Sequence, residues 1–304
     1  MTIVQLVKRI LPERAIRKLR WSRNTLAFYC DRLLSVDKVA FARALGDLGV
    51  RSGDILVVLS SLDQMRSIRA TPMELIDLLG RSVGAAGTVV MPSFPMSGLS
   101  QEHLDLHPFF DWRRTPSRSG MLTEIFRRTA GTERSLHPTH PVAARGATAA
   151  WLTEGHERSA TPFDEHSPFQ KLLSRNAKVL TLGSFDAMPF RHLADHLLQE
   201  RIPYPIYGDR VVTVRLRAKD GSERTMTTRA HNPDLVCEHR IVLEAMSREG
   251  LLARRRVRGL RLSLCCAQAY VDAYQRYHSR GSLQYYLKSE RGRVDHPRLA
   301  ESHR

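Results

Sequence analysis

Apolar residues recur along the chain in two rhythms, one of helical spacing and one of short unbroken runs, and their alternation defines the architecture. From Asp37 onward Val39, Ala42, Leu45 and Leu48 form a helical stripe that stops at Gly49. Ile55 to Leu59 is a continuous apolar run closed by Ser60 and Ser61, as suits a strand buried on both faces. Thr71, Pro72 and Glu74 then supply an N-cap, a first-turn proline and the acid of a capping box. Met73, Ile76, Leu79 and Val83 carry the apolar face of the helix that follows. Gly84 and Gly87 end it, and Thr88 to Met91 reads as a second buried strand. Strand, helix and strand make a parallel βαβ unit with a right-handed crossover.

Beyond Pro92 runs a long loop rich in Ser, Pro, Arg and aromatic residues, reaching Ser119, of the kind that carries function. The pattern then predicts a short helix over Met121 to Arg128, a third buried strand over Lys178 to Leu182, and a helix over Pro189 to Glu200. Val211 to Leu216 and Thr225 to Thr228 flank Asp220-Gly221, a hairpin signal. Residues 236–250 and 266–278 read as helices, and the chain from Gly281 reads as a loose polar tail. Three segments follow: a basic extension over 1–36, a packed α/β domain over 37–280, and a basic tail over 281–304.

Composition changes this picture little: 42% hydrophobic and 26% charged residues are ordinary for a globular chain of 304 residues. No apolar run approaches the roughly 18 to 20 residues that span a bilayer. The first residues lack an unbroken apolar core and a small-residue cleavage site, so a cytoplasmic location is expected. Cys30, Cys237, Cys265 and Cys266 contain no CxxC spacing, which implies neither a disulfide framework nor a structural zinc site. The net charge of +16 is the bulk anomaly, and it is compatible with nucleic acid, an anionic membrane or an anionic small molecule. Through residue 35 there are eight basic residues against two acidic ones. Ile3, Leu6, Val7, Ile10 and Leu11 recur there at helical spacing. Both a solvated helix and a peripheral membrane contact remain open for that segment. Aromatics at 7%, without an interleaved basic and aromatic motif, argue against a nucleic-acid-binding function.

Candidate chemistry lies on the helix after the third strand. His192, Asp195, His196 and Gln199 stand at i, i+3, i+4 and i+7 and share one face at the C-terminal edge of a parallel strand. A solvated face and a chelating histidine pair are the rival readings. Leu193 stands where a zincin would carry its glutamate, which weighs against metal catalysis. His137 and His140, each followed by proline, form a rigid turn that suits a structural corner or a site. No GxGxxG motif, Walker loop or GxSxG elbow marks the common nucleotide-binding and serine hydrolase classes.

Taken in order, the blocks LGVRSGDILVVLSSL, GAAGTVVMPSF, FDWRRTPSRSGMLTEIFRR, RSLHPTHPVAARG, SPFQKL and KVLTLGSF with the HLAD helix resemble the aminoglycoside 3-N-acetyltransferase family. The resemblance implies an α/β fold of three layers, α/β/α, with a mixed, largely parallel central sheet. It implies acetyl-CoA as donor, no metal, and an amino sugar or aminocyclitol amine as acceptor. His192 falls on the family's general base, and Ser60, Ser61, Arg134, Ser135 and His137 fall near the CoA arm. The family's acceptor-binding acid aligns with Asp105. The acid that orients the base belongs near RAHNPDLVCEH, where His231 and Asn232 align best and Asp234 is the acid we assign.

The sequence departs from the family at Leu59, where a histidine is usual, and at Met188-Pro189, where an asparagine-threonine pair is usual. A degenerate homologue that binds CoA or glycan without turnover is therefore the alternative to an enzyme. The balanced charges of the 93–118 loop, under a net +16, favour a neutral or anionic acceptor such as a nucleotide-linked or lipid-linked amino sugar.

Overall fold

The computed structural model describes residues 35–60, 67–183 and 188–290; the basic N-terminal segment to residue 34, Ser61 and the last fourteen residues lie outside them. Helix α1, Lys38–Leu48, starts where the Asp37 carboxylate accepts a hydrogen bond from the N–H of Ala40 and stops at Gly49 in a left-handed conformation. It buries Phe41, Ala44, Leu45 and Leu48 and leaves Val39 70% exposed. The predicted stripe is therefore turned toward Phe41, whose larger apolar surface wins the core position. Helix α2, Pro72–Val83, opens with the expected capping box, Thr71 and Glu74 each meeting the other's backbone N–H. It buries Leu75, Ile76, Leu78, Leu79 and Val83, and Met73 stays exposed.

Three central strands, β1 (Ile55–Ser60), β2 (Thr88–Pro92) and β6 (Lys178–Leu182), run parallel with β1 in the middle. Antiparallel strands extend the sheet: β5 (Val142–Gly146) and β4 (Glu133–Arg134) beside β2, and β11 (Leu260–Cys266) and β10 (Ala253–Val257) beside β6. The order is β10-β11-β6-β1-β2-β5-β4. Five of the seven strands point one way, so the sheet is mixed and largely parallel, as expected. Period-two side-chain alternation sends Leu56 and Val58 to one face and Val57 to the other. On the first face lie α1, α2 and α4 (Met121–Arg128), with Phe41, Ile76, Leu122 and Phe126 in one core. On the second lie α5 (Ala149–Thr153), α6 (Pro168–Ser174), α7 (Met188–Leu197), α8 (Arg240–Arg248) and α9 (Ala267–Ser279). Leu152, Phe169, Phe190, Leu193, Met246 and Tyr270 fill the core there. Helix, sheet and helix are the three layers.

A smaller sheet stands beside this frame. Its hairpin joins β7 (Tyr207–Arg217) to β8 (Glu223–His231) through the Asp220-Gly221 turn, and β3 (Phe109–Asp111) pairs with β7. Helix α3, Ser100–Leu106, packs on β8. An irregularity between Tyr207 and Val211 shifts the register and leaves Tyr207 opposite His231 at the far end of the hairpin.

Two expectations are corrected. Leu235–Cys237 is strand β9 rather than the start of a helix, and α8 begins only at Arg240. The supposed loose tail contains strand β12, Tyr285–Leu287, paired antiparallel with β9, with Leu283 and Tyr286 buried. Both changes have one cause, since each short segment gains a backbone partner far away in sequence, which local periodicity does not register.

The close approach of β5 to the start of β2 requires glycine at Gly146, whose φ is +134° and whose added Cβ would meet the Gly87 carbonyl oxygen and lie 2.7 Å from Thr88 Cα. Gly146→Ala is expected to cost at least about 2 kcal/mol in urea unfolding. A loss below about 0.5 kcal/mol would show that this edge yields.

Candidate active site

Helix α7 leaves the C-terminal end of β6 and turns Phe190, Leu193 and Ala194 into the core. That orientation sets His192 and Asp195 together, one turn apart, His192 half-buried and Asp195 3% exposed. His192 Nδ1 lies 3.5 Å from Asp195 Oδ2, longer than a good hydrogen bond and within the reach of a dyad that tightens around substrate. The other oxygen, Asp195 Oδ1, accepts hydrogen bonds from the hydroxyls of Tyr274 on α9 and Tyr285 on β12, both at 2.8 Å. Burial alone would push the Asp195 carboxyl up. The bonds and charge of His192 and the two tyrosine hydroxyls outweigh it and hold the group below the ordinary carboxylate value. The buried aspartate is therefore an anion facing the imidazole.

The rest of the helical stripe separates from this pair. His196 Nδ1 meets the Tyr207 hydroxyl at 3.1 Å, a packing role, and Gln199 is exposed beyond the end of α7. At the end of β8, His231 places its ring 4.2 Å from that of His192. Burial first, and then the His192 ring, push His231 down to about 3, so it is neutral. Arg191 Nη2 stands 3.4 Å from His192 Nε2.

At the C-terminal ends of β1 and β2, reached by Pro189 in the first turn of α7, opens a cleft of about 440 Å³. Leu59, Ser60, Pro92, Phe94, Met96 and Pro189 line it together with Arg118, and among the described residues no carboxylate lines it. Of the residues assigned to CoA, Ser60 is at this cleft. Arg134 is buried and donates to the carbonyl oxygens of Ser93, Trp112 and Thr115, which ties the 93–118 loop to the sheet. Burial pushes its guanidinium down to about 9. Ser135 is buried with Oγ 2.9 Å from His156 Nδ1 and accepts the N–H of Val142. His137 is fully buried, stacked on His156 with ring centroids 4.4 Å apart, and its Nδ1 accepts the N–H groups of Thr139 and His140. These three form a latch behind the loop, and Arg134 also lines a second cleft of about 640 Å³ with Arg113, Lys219 and Arg224. The structural-corner reading of the His-Pro turn is the one the packing supports.

Asp105 sits on α3, where Arg210 pairs with its Oδ1 at 2.8 Å. Asp234 is exposed, its N–H bonded to Asn232 Oδ1, and the carboxylate that the structure sets against His192 is that of Asp195. Asp195 was visible in the sequence at i+3 of the stripe. Tyr274 and Tyr285 were not singled out, and the only local signal for Tyr285 is the short run Tyr285-Tyr286-Leu287 in a segment otherwise polar.

A three-layer α/β frame thus carries an imidazole and carboxylate pair on the helix that follows the third of its parallel strands. The sequence profile described as aminoglycoside 3-N-acetyltransferase matches residues 57–279, well over half of the chain, and the chain belongs to that family. Aminoglycoside N(3)-acetyltransferase IV of Salmonella sp is 32% identical over 163 residues, covering 53% of this chain and 58% of that relative. The chain thus spans about three fifths of the length of the curated relatives it matches. Among solved structures, AAC-IIIb in binary complex with CoASH superimposes with a TM-score of 0.65 at 23% identity, over 81% of this chain and 97% of that one. AAC-VIa bound to sisomicin does so with a TM-score of 0.62 at 26% identity, over 81% and 98%. Among the described residues no helix is long and apolar enough to cross a membrane.

The latch carries a pH dependence. His137, His140 and His156 are held well below the ordinary histidine value of 6.5, first by burial and then by one another's charge. The unfolded chain regains that value and binds protons that the folded chain refuses, so stability is full above pH 6.5 and falls below it. Each histidine contributes a slope of about 1.4 kcal/mol per pH unit at most. Urea unfolding at pH 7.5 and 5.5 should show the protein markedly weaker at the lower pH; equal stability would mean that the latch opens to water.

Proposed function

We propose that the protein transfers the acetyl group of acetyl-CoA directly to a primary amine of an amino sugar or aminocyclitol, with His192 as general base. The observation that carries this reading is the buried, anionic Asp195 facing His192 on the helix whose first turn lines the cleft. An amine that is protonated near neutral pH must shed a proton before it attacks a thioester, and imidazole has the basicity for it. With Nδ1–H directed at Asp195, the Nε2 lone pair is the base. The amine nitrogen bonds to the thioester carbonyl carbon, and the carbon–sulfur bond breaks. The proton taken by His192 is returned to the departing thiolate of CoA. The oxyanion that forms calls for backbone N–H donors, which we assign to the C-terminal end of β1 at Ser60. Neither a covalent acyl-enzyme nor a metal enters these steps.

The cleft fits the donor. Its volume lies in the range of small-molecule sites, its lining suits an acyl-pantetheine arm, and Arg118 supplies a cation for an anionic cosubstrate. Leu59 and Pro189 at the cleft replace polar side chains usual in the family, which makes this end of the site drier and leaves oxyanion stabilisation to the backbone. The latch of Arg134, Ser135 and His137 shapes the site by fixing the loop. Asp105, engaged by Arg210, has little charge left for a polycation, which supports an acceptor that is neutral or anionic over an aminoglycoside of many ammonium groups.

Thiol release from acetyl-CoA tests the proposal, with an aminoglycoside and a nucleotide-linked amino sugar as acceptors. His192→Ala should lower kcat by about 100-fold or more with CoA binding unchanged. Near-normal turnover in the variant would remove His192 as base. No turnover on any amine by the parent protein, with CoA still bound, would favour a non-catalytic CoA-binding protein. Efficient aminoglycoside turnover with none on the sugar nucleotide would overturn the acceptor assignment.

A further inference from the structure

His231 has no part in the transfer derived above, yet it is brought against the dyad from a different element. Donor atoms of His192, Asp195 and His231, one from each, lie within 4.8 Å of one another. We infer that these three side chains form a binding site for a divalent transition-metal ion, Zn²⁺ above all, and that an ion held on His192 Nδ1 suppresses acyl transfer by leaving the ring proton on Nε2, where the base needs a lone pair.

A tetrahedral zinc bonded at about 2.0 to 2.2 Å needs its donor atoms roughly 3.3 to 3.5 Å apart. The 3.5 Å between His192 Nδ1 and Asp195 Oδ2 already meets this, and the His231 ring has to close by about 1 Å, a side-chain adjustment. The chemistry of His231 suits a ligand. Its Nδ1 lies 3.2 Å from the backbone carbonyl oxygen of Asn232, which places the proton on that nitrogen and leaves the lone pair on Nε2. That Nε2 is buried with no hydrogen-bond partner. A buried acceptor left unmet is destabilising, and a metal ion would satisfy it. Asp195 brings a negative charge, and its second oxygen is fixed by Tyr274 and Tyr285, the outer shell that orients a metal-bound carboxylate. Two imidazoles and one carboxylate leave an open coordination position.

Occupancy and turnover exclude each other. With zinc on Nδ1 the remaining ring proton sits on Nε2, and with Asp195 drawn to the ion the ring loses both its accepting lone pair and its orienting anion. The residue after His192 is leucine, and among the described residues no further His, Cys, Asp or Glu joins these three donors to make a bound water a nucleophile, so the ion acts as an inhibitor rather than as a hydrolytic centre. The Arg191 guanidinium near His192 opposes a cation, which makes the ion exchangeable rather than structural.

The test uses the full chain, stripped with a chelator and then titrated with Zn²⁺ by equilibrium dialysis and with Co²⁺ by its visible absorption. The site predicts a single ion per chain, with Co²⁺ bands of four- or five-coordinate intensity. It also predicts a loss of affinity of about 100-fold or more in His231→Gln, beyond the 10- to 100-fold typical of an outer-shell change. Asp195→Asn should lose the ion likewise, while His103→Gln, away from the site, should keep it. Equal affinity in His231→Gln and the parent, or six-coordinate Co²⁺ bands in the parent, would overturn the site. These readouts need no acyl donor, so they stand or fall apart from the acyltransferase reading. In the thiol-release assay Zn²⁺ should inhibit the parent and spare His231→Gln; activity that disappears on stripping and returns with Zn²⁺ would overturn the inhibitory role.

Discussion

A carboxylate shut away from water survives as an anion only where hydrogen bonds and a positive partner outweigh the loss of solvation, and Asp195 meets that requirement through contacts from three elements. The Tyr274 hydroxyl arrives from α9, the Tyr285 hydroxyl from β12, and the His192 imidazole from the preceding turn of α7. Each is placed by its own packing: Tyr274 within the large core, Tyr285 by the pairing of β12 with β9, and His192 by burial of Phe190 and Leu193. The convergence explains why the C-terminal strand belongs to the domain. It ties the far end of the chain to the carboxylate, so folding of that strand and charge at the dyad are one requirement.

The second constraint is the loop after β2. Its backbone carbonyls at Ser93, Trp112 and Thr115 would be hard to satisfy in a segment without regular structure, and the buried Arg134 guanidinium takes all three. The histidines behind it are neutral because burial makes them so. One wall of the cleft thus rests on a polar latch that is stable only while it is unprotonated, and the dyad rests on a carboxylate that is stable only while it is ionised. Both conditions hold together near neutral pH.

Much of the frame was legible in the sequence because its signals are local. The capping box at Thr71 and Glu74, the buried runs of β1, β2 and β6, and the Asp220-Gly221 hairpin each depend on neighbours within a few residues, and each lies where it was expected. The family followed from the order of the blocks. What escaped is long-range. Strands β9 and β12 stabilise one another across almost fifty residues, and the partner of Asp195 on β12 follows only from that pairing. The orienting acid was sought near Asp234 by alignment, whereas helix geometry had already set Asp195 one turn from His192. Arg134, Ser135 and His137 were placed by resemblance near the CoA arm; a motif marks which residues a fold needs, and here burial assigns them to the loop behind the cleft.

The central claim is that Asp195, rather than Asp234, holds His192 in its working tautomer. The kcat for thiol release from acetyl-CoA, measured in parallel for Asp195→Asn and Asp234→Asn at neutral pH, tests it most directly. The account predicts a fall of about 100-fold to 10,000-fold for Asp195→Asn, as for other imidazoles deprived of their orienting carboxylate, and a change of less than about 3-fold for the exposed Asp234. A large loss at Asp234 with Asp195→Asn near the parent rate would contradict it.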